Sequence, residues 1–239
     1  VKKQQKTKDL DLEERKKVLL FWGGGKESAL SLFELKSPEF EILGLLSCFE
    51  SGTQRLQHSD VQYRLISAQA KALDLPLFSV DLPRAATNSL YQEKIKEKMD
   101  EIRGSQRVDA LAFGTVKLKD VKNFWIECCK LWQLAPVFPL WGWSDSLVQQ
   151  AFFGLGHQAV VHGLDAKKLP PAFLGRSYDS SFVSDLPLGV DSCGENAEFQ
   201  SFVVDGPFFS KPLRIELGEV YEKECFRFRE LILKEELMT

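Results

Sequence analysis

Two stretches of the 239-residue chain place chemically active side chains close together. In Gly23-Gly24-Gly25-Lys26-Glu27-Ser28, three glycines precede a cation, a carboxylate and a hydroxyl. Glycines let a backbone turn sharply and approach a ligand without interference from Cβ. A glycine turn that opens a helix also presents unpaired N–H groups and partial positive charge to an anion. Lys26 is read as a mobile cation at the same place, so the spacing predicts a phosphate cradle made by Gly23, Gly24, Gly25, Lys26 and Ser28. The competing reading is a tight strand-to-helix turn without a ligand. Glu27 stands between Lys26 and Ser28, which departs from the usual P-loop order of glycine, four residues, then Gly-Lys-Ser/Thr. The second stretch runs from Val190 to Gly206. Asp191, Glu195, Asn196 and Glu198 fall within eight residues, and Phe199, Phe202, Val203 and Val204 follow directly. A polar turn emptying into a buried strand is a common way to set polar groups at a cleft. An ordinary acidic loop would explain the charges equally well, but not the Cys193-Gly194-Glu195-Asn196 core.

These stretches need elements to hold them. Val18 to Trp22 is an apolar run of strand length, and Ala29, Leu30, Leu32 and Phe33 give the following segment the apolar face of a helix. Phe40 to Phe49, Leu77 to Val80, Val108 to Phe113 and Pro136 to Leu140 read as further strands. Helices are predicted over Val61 to Leu73, Asn88 to Arg103 and Asp120 to Leu134. Strands alternating with helices specify a parallel sheet covered on both faces. Ligands bind such sheets beyond the carboxyl ends of the strands. The glycine turn, the Cys48 to His58 segment and Gly114-Thr115-Val116-Lys117 all fall at such ends and are expected to line one cleft.

After Leu140 the texture changes. A helix near Asp145 to Phe153, a strand over His157 to Gly163, strands within Pro212 to Phe228 and a C-terminal helix at Arg229 to Leu237 are expected. The aromatic residues Phe138, Trp141, Trp143, Phe152 and Phe153 read as interdomain core. This divides the chain into a charged tail (1–16), a first domain (17–140) and a C-terminal domain (141–239).

Composition narrows the function classes. With 44% hydrophobic and 27% charged residues the chain has the material for an ordinary globular core. A net charge of −3 argues against a general nucleic-acid partner. No run reaches the length of a membrane span and no signal-like leader opens the sequence, so a cytoplasmic location is expected. Five cysteines without a Cys-x-x-Cys pair give neither a disulfide framework nor a structural zinc site. Cys128 and Cys129 adjoin on a helix, where their side chains diverge into packing roles. Cys193 reads evenly as a functional thiol or as part of a packed turn. His157 and His162 flank an apolar strand and read as structural, and His58 as an exposed loop residue within reach of the cleft.

Two resemblances build on these residues. Gly24, Gly25, Lys26 and Ser28 match the Ser-Gly-Gly-Lys-Asp-Ser loop (PP-loop) of the N-type ATP pyrophosphatases, with Gly23 for the first serine and Glu27 for the aspartate. Asp191, Cys193, Gly194, Glu195, Asn196, Glu198, Phe199, Phe202 and Val203 match the Asp-Pro-Cys-Gly-Glu-Asn-Gly-Glu-Phe-His-Thr-Phe-Val signature of the diphthine–ammonia ligase family, also called ATP-binding domain-4 proteins. Pro139-Leu140-Trp141 and Leu174-Gly175-Arg176 also resemble family segments, so the likeness spans about residues 18–210. It implies an α/β fold: a HUP-type, Rossmann-like sheet (adenine nucleotide alpha hydrolase-like) of order 3-2-1-4-5, with a smaller C-terminal α+β domain. It implies ATP and Mg2+ as cofactors, and amidation of a small-molecule or protein-borne carboxylate through an acyl-adenylate, releasing AMP and pyrophosphate. In site terms it implies Lys26, Glu195, Asn196 and Glu198 as catalytic residues. Gly23, Gly24, Gly25, Lys26, Ser28, Gly114 and Thr115 would hold the nucleotide, and Glu27 the metal. The ammonia donor is left open, and a homodimer is compatible with the reading. The chain departs from the family at Gly114-Thr115-Val116, where Gly-Asp-Ile is usual, and at Gln150, where a glutamate is common. Lys117, Lys119 and Lys122 are the cations nearest the first of these. The alternatives are a nucleotide-binding protein without turnover and, ranked below it, an ATP-dependent RNA-modifying enzyme.

Overall fold

Val18, Leu19 and Leu20 are wholly buried, so the strand that carries them, β1 (Lys16–Phe21), must be covered on both faces. The computed structural model, which describes residues 15–234, shows how. Parallel strands flank β1 on each side: β2 (Phe40–Glu50) on one, β5 (Ala110–Ala112) on the other. Beyond them lie β4 (Leu77–Leu82), paired to β2, and β6 (Ala135–Val137), paired to β5. Counting the parallel strands in chain order gives 3-2-1-4-5, the order implied by the resemblance. A two-residue strand, β3 (Arg55–Leu56), folds back antiparallel on the end of β2. The strand order reverses between β1 and β5, and a crevice opens at such a switch point.

Side chains alternate across β1 and so feed two cores. Val18, Leu20 and Trp22 meet α1 (Lys26–Leu35) and α2 (Tyr63–Ala72). Leu19 meets α3 (Asn88–Arg103) and α4 (Lys119–Trp132) through Ile95, Met99, Trp125 and Cys128. Cys128 and Cys129 are buried there, as their spacing predicts, and burial pushes the Cys129 thiol up to about 12.

The remainder builds a second sheet, wholly antiparallel. It is led in by α5 (Asp145–Gly154) and contains β7 (Gln158–Asp165), β8 (Phe199–Asp205), β9 (Ile215–Lys223) and β10 (Phe226–Leu233) in the order β8-β7-β10-β9. A short helix, α6 (Ser180–Ser184), lies between β7 and β8. This sheet has no core of its own: Val161, Phe182, Phe202 and Val203 belong to the same apolar cluster as α1 and α2. His157 and His162 are buried on β7 or beside it, and burial holds both near 4, so they are neutral in the fold. Among the described residues no helix is long and apolar enough to cross a membrane.

Three expectations change. Arg229 to Leu233 is strand, not helix: Arg229 pairs with Val220 and Leu233 with Ile215. Glu, Leu and Lys favour helix locally, but the β9 partner and the burial of Phe228 and Leu231 override that preference. The rest of that expected helix, like most of the expected charged tail, lies outside the described residues. The aromatic group also divides. Trp143, Phe152 and Phe153 join the core shared with the second sheet, whereas Phe138 packs on Phe113 at 5.6 Å on the opposite face. Trp141 instead lies under the Lys122 ammonium, 3.9 Å from its ring centre.

The two sheets are tied through a wholly buried amide, Gln69 of α2. Its Oε1 accepts from Trp22 Nε1 at 2.8 Å, and its Nε2 donates to the Gly24 carbonyl at 3.0 Å and the Val203 carbonyl at 2.6 Å. Val203 N–H in turn donates to the Gly24 carbonyl at 2.9 Å. Replacing Gln69 by leucine strands an indole N–H and weakens two buried carbonyls. The expected cost is about 2–5 kcal/mol, a fall in melting temperature of roughly 5–15 °C in a thermal scan. A melting temperature within a degree of the parent would show that the amide does not join the sheets.

Candidate functional site

The glycine turn begins where β1 stops. Trp22 N–H donates to the Leu46 carbonyl at 2.8 Å, holding the chain against β2. Gly23 N–H then donates to Ser28 Oγ at 3.0 Å, which folds the turn over the first residues of α1. Gly24 sits at φ +76°, and a Cβ there would come within 2.8 Å of Ile66 Cδ1 and 2.9 Å of Gln69 Oε1, so only glycine fits. Its carbonyl is the one bound by Val203 and Gln69, so Gly24 faces the interior and not the cleft. Gly25 caps α1 without a side-chain acceptor. Lys26 N–H donates to Ser201 Oγ at 3.3 Å, and the other N–H groups of the first turn remain suited to an anion.

A cavity of about 340 Å³ opens above this turn. Gly23, Gly25, Lys26, Glu27 and Ser28 form its base. Gly114 and Thr115, beyond β5, bound one side, with Leu118 and Val121 at the rim. A Cβ on Gly114 would meet Glu27 Cβ at 3.0 Å, so this glycine lets the β5 loop close on the start of α1. His58 and Ser59 bound the opposite side, and Gly194, Glu195, Phe199, Gln200 and Ser201 enter from the second sheet. The strand-end segments expected to share a cleft do share it.

Polar ties hold both flanks to the second sheet. On the β2 side, buried Asp60 accepts from Tyr221 Oη at 2.6 Å and Lys223 Nζ at 2.7 Å. Arg55 pairs with Glu230 at 2.8 Å, and Gln200 Nε2 donates to the His58 carbonyl at 2.9 Å. On the β5 side Lys117 lies between Asp145 and Asp191, 2.6 Å from each. Asp145, Asp191 and Cys193 have metal-ligand spacing, but Lys117 already supplies the positive charge there.

The charges inside the cleft are few and strongly coupled. Lys26 is only 3% exposed, which corrects its reading as a mobile cation. It pairs with Glu27, and its Nζ lies 5.5 Å from the Tyr178 ring centre and 5.3 Å from that of Phe199. Burial opposes its charge, but the Glu27 carboxylate outweighs burial and Lys26 is held above its ordinary value. Glu195 lies beside Glu27, and burial together with that carboxylate pushes it up to about 8. Near neutral pH, therefore, a protonated carboxyl, a carboxylate and an ammonium meet at one point. Cys193 is buried 3.8 Å from Tyr178 Oη, and burial pushes its thiol up to about 11, so it is a packed thiol.

Asn196 and Glu198 do not reach the cavity. Asn196 N–H donates to Glu198 Oε2 at 2.9 Å, and Asn196 Nδ2 lies 3.4 Å from Asp191 Oδ2. Glu198 is buried and paired to Lys168 at 3.5 Å, so both side chains brace the turn that carries Glu195. Four residues beyond those expected take part: Gln69, Tyr178, Phe199 and Ser201. Phe199 and Ser201 stand in the signature stretch and were open to detection there. Gln69 reads in sequence only as a polar position of an amphipathic helix.

Two family models match the chain, the diphthamide synthase N-terminal domain over residues 16–134 and the diphthamide synthase C-terminal domain over residues 146–235. The chain belongs to the diphthamide synthase family. The gap between the two matched segments, residues 135–145, holds β6 and the start of α5, where the parallel sheet gives way to the antiparallel one. Curated relatives are similar at low identity over nearly full length. Diphthine–ammonia ligase of Bos taurus is 25% identical, covering 92% of this chain and 94% of its own. The Homo sapiens protein of the same name is 24% identical, covering 93% and 94%. Among solved structures, a predicted subunit of tRNA methyltransferase from Methanocaldococcus jannaschii superposes with a TM-score of 0.42 at 18% identity, covering 60% of this chain and 80% of that one. In this diphthamide synthase family member the signature's Glu195, not Asn196 or Glu198, lines the cavity with Lys26.

The raised Glu195 carboxyl has a measurable sign. The fold retains a proton that the unfolded chain releases nearer 4.5, so this contribution to stability is full below the unfolded value and is lost as pH rises through about 8. Melting temperatures recorded from pH 6 to pH 9 should fall more steeply in the parent than in Glu195→Gln. Parallel curves would show that Glu195 titrates as an ordinary carboxylate.

Proposed function

We propose that the protein is an ATP-dependent ligase that adenylates a carboxylate and converts it to an amide, releasing AMP and pyrophosphate. The observation that carries this reading is the single cavity in which the glycine turn, Lys26, Glu27 and Glu195 converge from both sheets, in a chain of the diphthamide synthase family. In this reading residues 17–140 hold the nucleotide and residues 141–239 present the acyl substrate. The curated relatives are diphthine–ammonia ligases, and a protein-borne carboxylate is the corresponding substrate here.

The chemistry sets what the cleft must do. A carboxylate oxygen is a poor leaving group, and AMP is a better one. The substrate carboxylate attacks the α-phosphorus of ATP, and the bond to the β-phosphate oxygen breaks to expel pyrophosphate. Ammonia then attacks the acyl carbon, AMP leaves with the electrons of the acyl C–O bond, and the nitrogen gives up a proton. Gly23, Gly25, Ser28 and the first turn of α1 suit the pyrophosphate, Lys26 its developing charge, and Gly114 and Thr115 the α-phosphate side. Gly24 shapes the turn from the interior. Glu195 faces the acyl group, with Asn196 and Glu198 setting its position.

Magnesium accepts oxygen donors and keeps several waters. Glu27 and Glu195 provide adjacent carboxyl oxygens at the cleft, a donor set that fits once Glu195 gives up its proton and Lys26 turns from Glu27 to the phosphates. Glu27 would hold the ion, with Glu195 beside it, and the ion would offset the triphosphate charge.

Thr115 occupies the position where the family usually carries an aspartate, and this observation favours one second reading, nucleotide binding without turnover. Pyrophosphate release from ATP by the purified protein, with ammonium and candidate carboxylates, separates the two. Release is expected, with a loss of about 10²-fold or more in Lys26→Ala. Calorimetric ATP binding with no pyrophosphate under any of these conditions would favour the second reading. No nucleotide binding at all would overturn both.

A further inference from the structure

We infer that Tyr178 is a positioning residue for Lys26, supplied by the second sheet to the phosphate side of the first. Lys26 is nearly sealed from solvent, so its ammonium has exchanged most of its water for protein. Glu27 replaces part of that hydration through an ion pair, and the faces of Tyr178 and Phe199 replace more. An aromatic face attracts a desolvated cation through its quadrupole. The two ring centres lie 5.7 Å apart, so the Lys26 ammonium sits over the pair, about equally far from each, one ring from β8 and the other from the loop that follows β7. Glu27, Glu195 and Cys193 are the titratable groups that also act on its charge. Phe199 belongs to the signature turn, but Tyr178 stands outside it.

Tyr178 is built not to move. Its N–H donates to the Ala159 carbonyl at 2.9 Å, anchoring it to β7. Its hydroxyl donates to the Ser192 carbonyl at 3.1 Å, which ties the ring to the start of the signature turn. Phe152, Phe153 and Phe182 surround it with ring centres 5.4–5.8 Å away, and the residue is 2% exposed. A fixed ring beside a long flexible chain restricts the chain. Without Tyr178, Lys26 keeps its partner Glu27 but loses the wall that directs it. The hydroxyl bond is one anchor among several and does not touch Lys26; the ring face makes that contact. Phenylalanine should therefore position Lys26 as tyrosine does, and leucine should not.

The inference extends the reading of Lys26 as the cation on the nucleotide side, and its test separates the two. The dissociation constant for Mg-ATP is measured by calorimetry in the parent, Tyr178→Phe, Tyr178→Leu, Lys26→Ala and the Lys26→Ala/Tyr178→Leu double variant. Tyr178→Leu is expected to weaken binding by about 2- to 30-fold, the range of a buried cation–π contact, while Tyr178→Phe stays within about 2-fold of the parent. The leucine penalty should vanish in the Lys26→Ala background. An equal penalty with and without Lys26 would overturn the positioning role, since a general packing defect acts whether or not the lysine is present. Should the parent bind no Mg-ATP, the nucleotide reading fails, and a second readout still decides this one. In uniformly 13C-labelled protein the Lys26 side-chain Cε–Hε signal, assigned by its loss in Lys26→Ala, should carry a ring-current shift kept in Tyr178→Phe and reduced in Tyr178→Leu. A Lys26 shift unchanged by leucine would sink the inference.

Discussion

Everything at the cleft depends on the carbonyl of Gly24 being bound from behind. Gln69 and Val203 both donate to it, one from a helix of the first sheet and one from a strand of the second. This fixes the turn in the shape that Gly24 alone can adopt, and it fixes β8 against the start of α1. Buried backbone groups are rarely left unpaired, so the turn cannot relax without breaking several bonds at once. The polar ties at Asp60 and Lys117 then hold the two flanks. A preorganised anion site needs this kind of support, because a loop free to adjust would lose its geometry whenever the charge it must hold developed.

Charge inside the cleft is balanced more closely than the composition suggests. One ammonium faces one carboxylate and one carboxyl that retains its proton into the neutral range. Two half-buried carboxylates side by side repel, and keeping a proton on Glu195 removes that repulsion. The Glu27 carboxylate lets Lys26 stay charged where water has been excluded, and the rings of Tyr178 and Phe199 lie beside its ammonium. A triphosphate arriving here meets a site whose own charges are already partnered, so binding must rearrange them.

The order of the parallel strands was legible because the apolar runs are long and each is followed by a helix with a clear face. The glycine turn and the signature stretch were legible because their residue types have few other uses together. The C-terminal strand β10 was not, since Arg229 to Leu233 carries good helix formers and only the partner β9 makes it extended. The division of labour within the acidic stretch was also hidden. Asp191, Glu195, Asn196 and Glu198 look equivalent in sequence, and only the fold turns one toward the cavity and the rest into their own loop. Spacing shows that polar groups are close, but not which way each side chain faces. Lys26 does line the cavity, but reading it as mobile failed, because the rings packed against it come from residues about 150 to 175 positions away.

The shared core has a consequence for the molecule as a whole. Since Phe202 and Val203 of one sheet pack in the same cluster as Leu30 and Ile66 of the other, the second sheet and the α1–α2 face of the first are enclosed only together, while the α3–α4 face keeps a core of its own. Severing the chain at the junction would lay bare a broad greasy face on each fragment. Closing that shared face and creating the binding crevice are thus one event: the crevice is a seam, present only when its two sides have been sewn together.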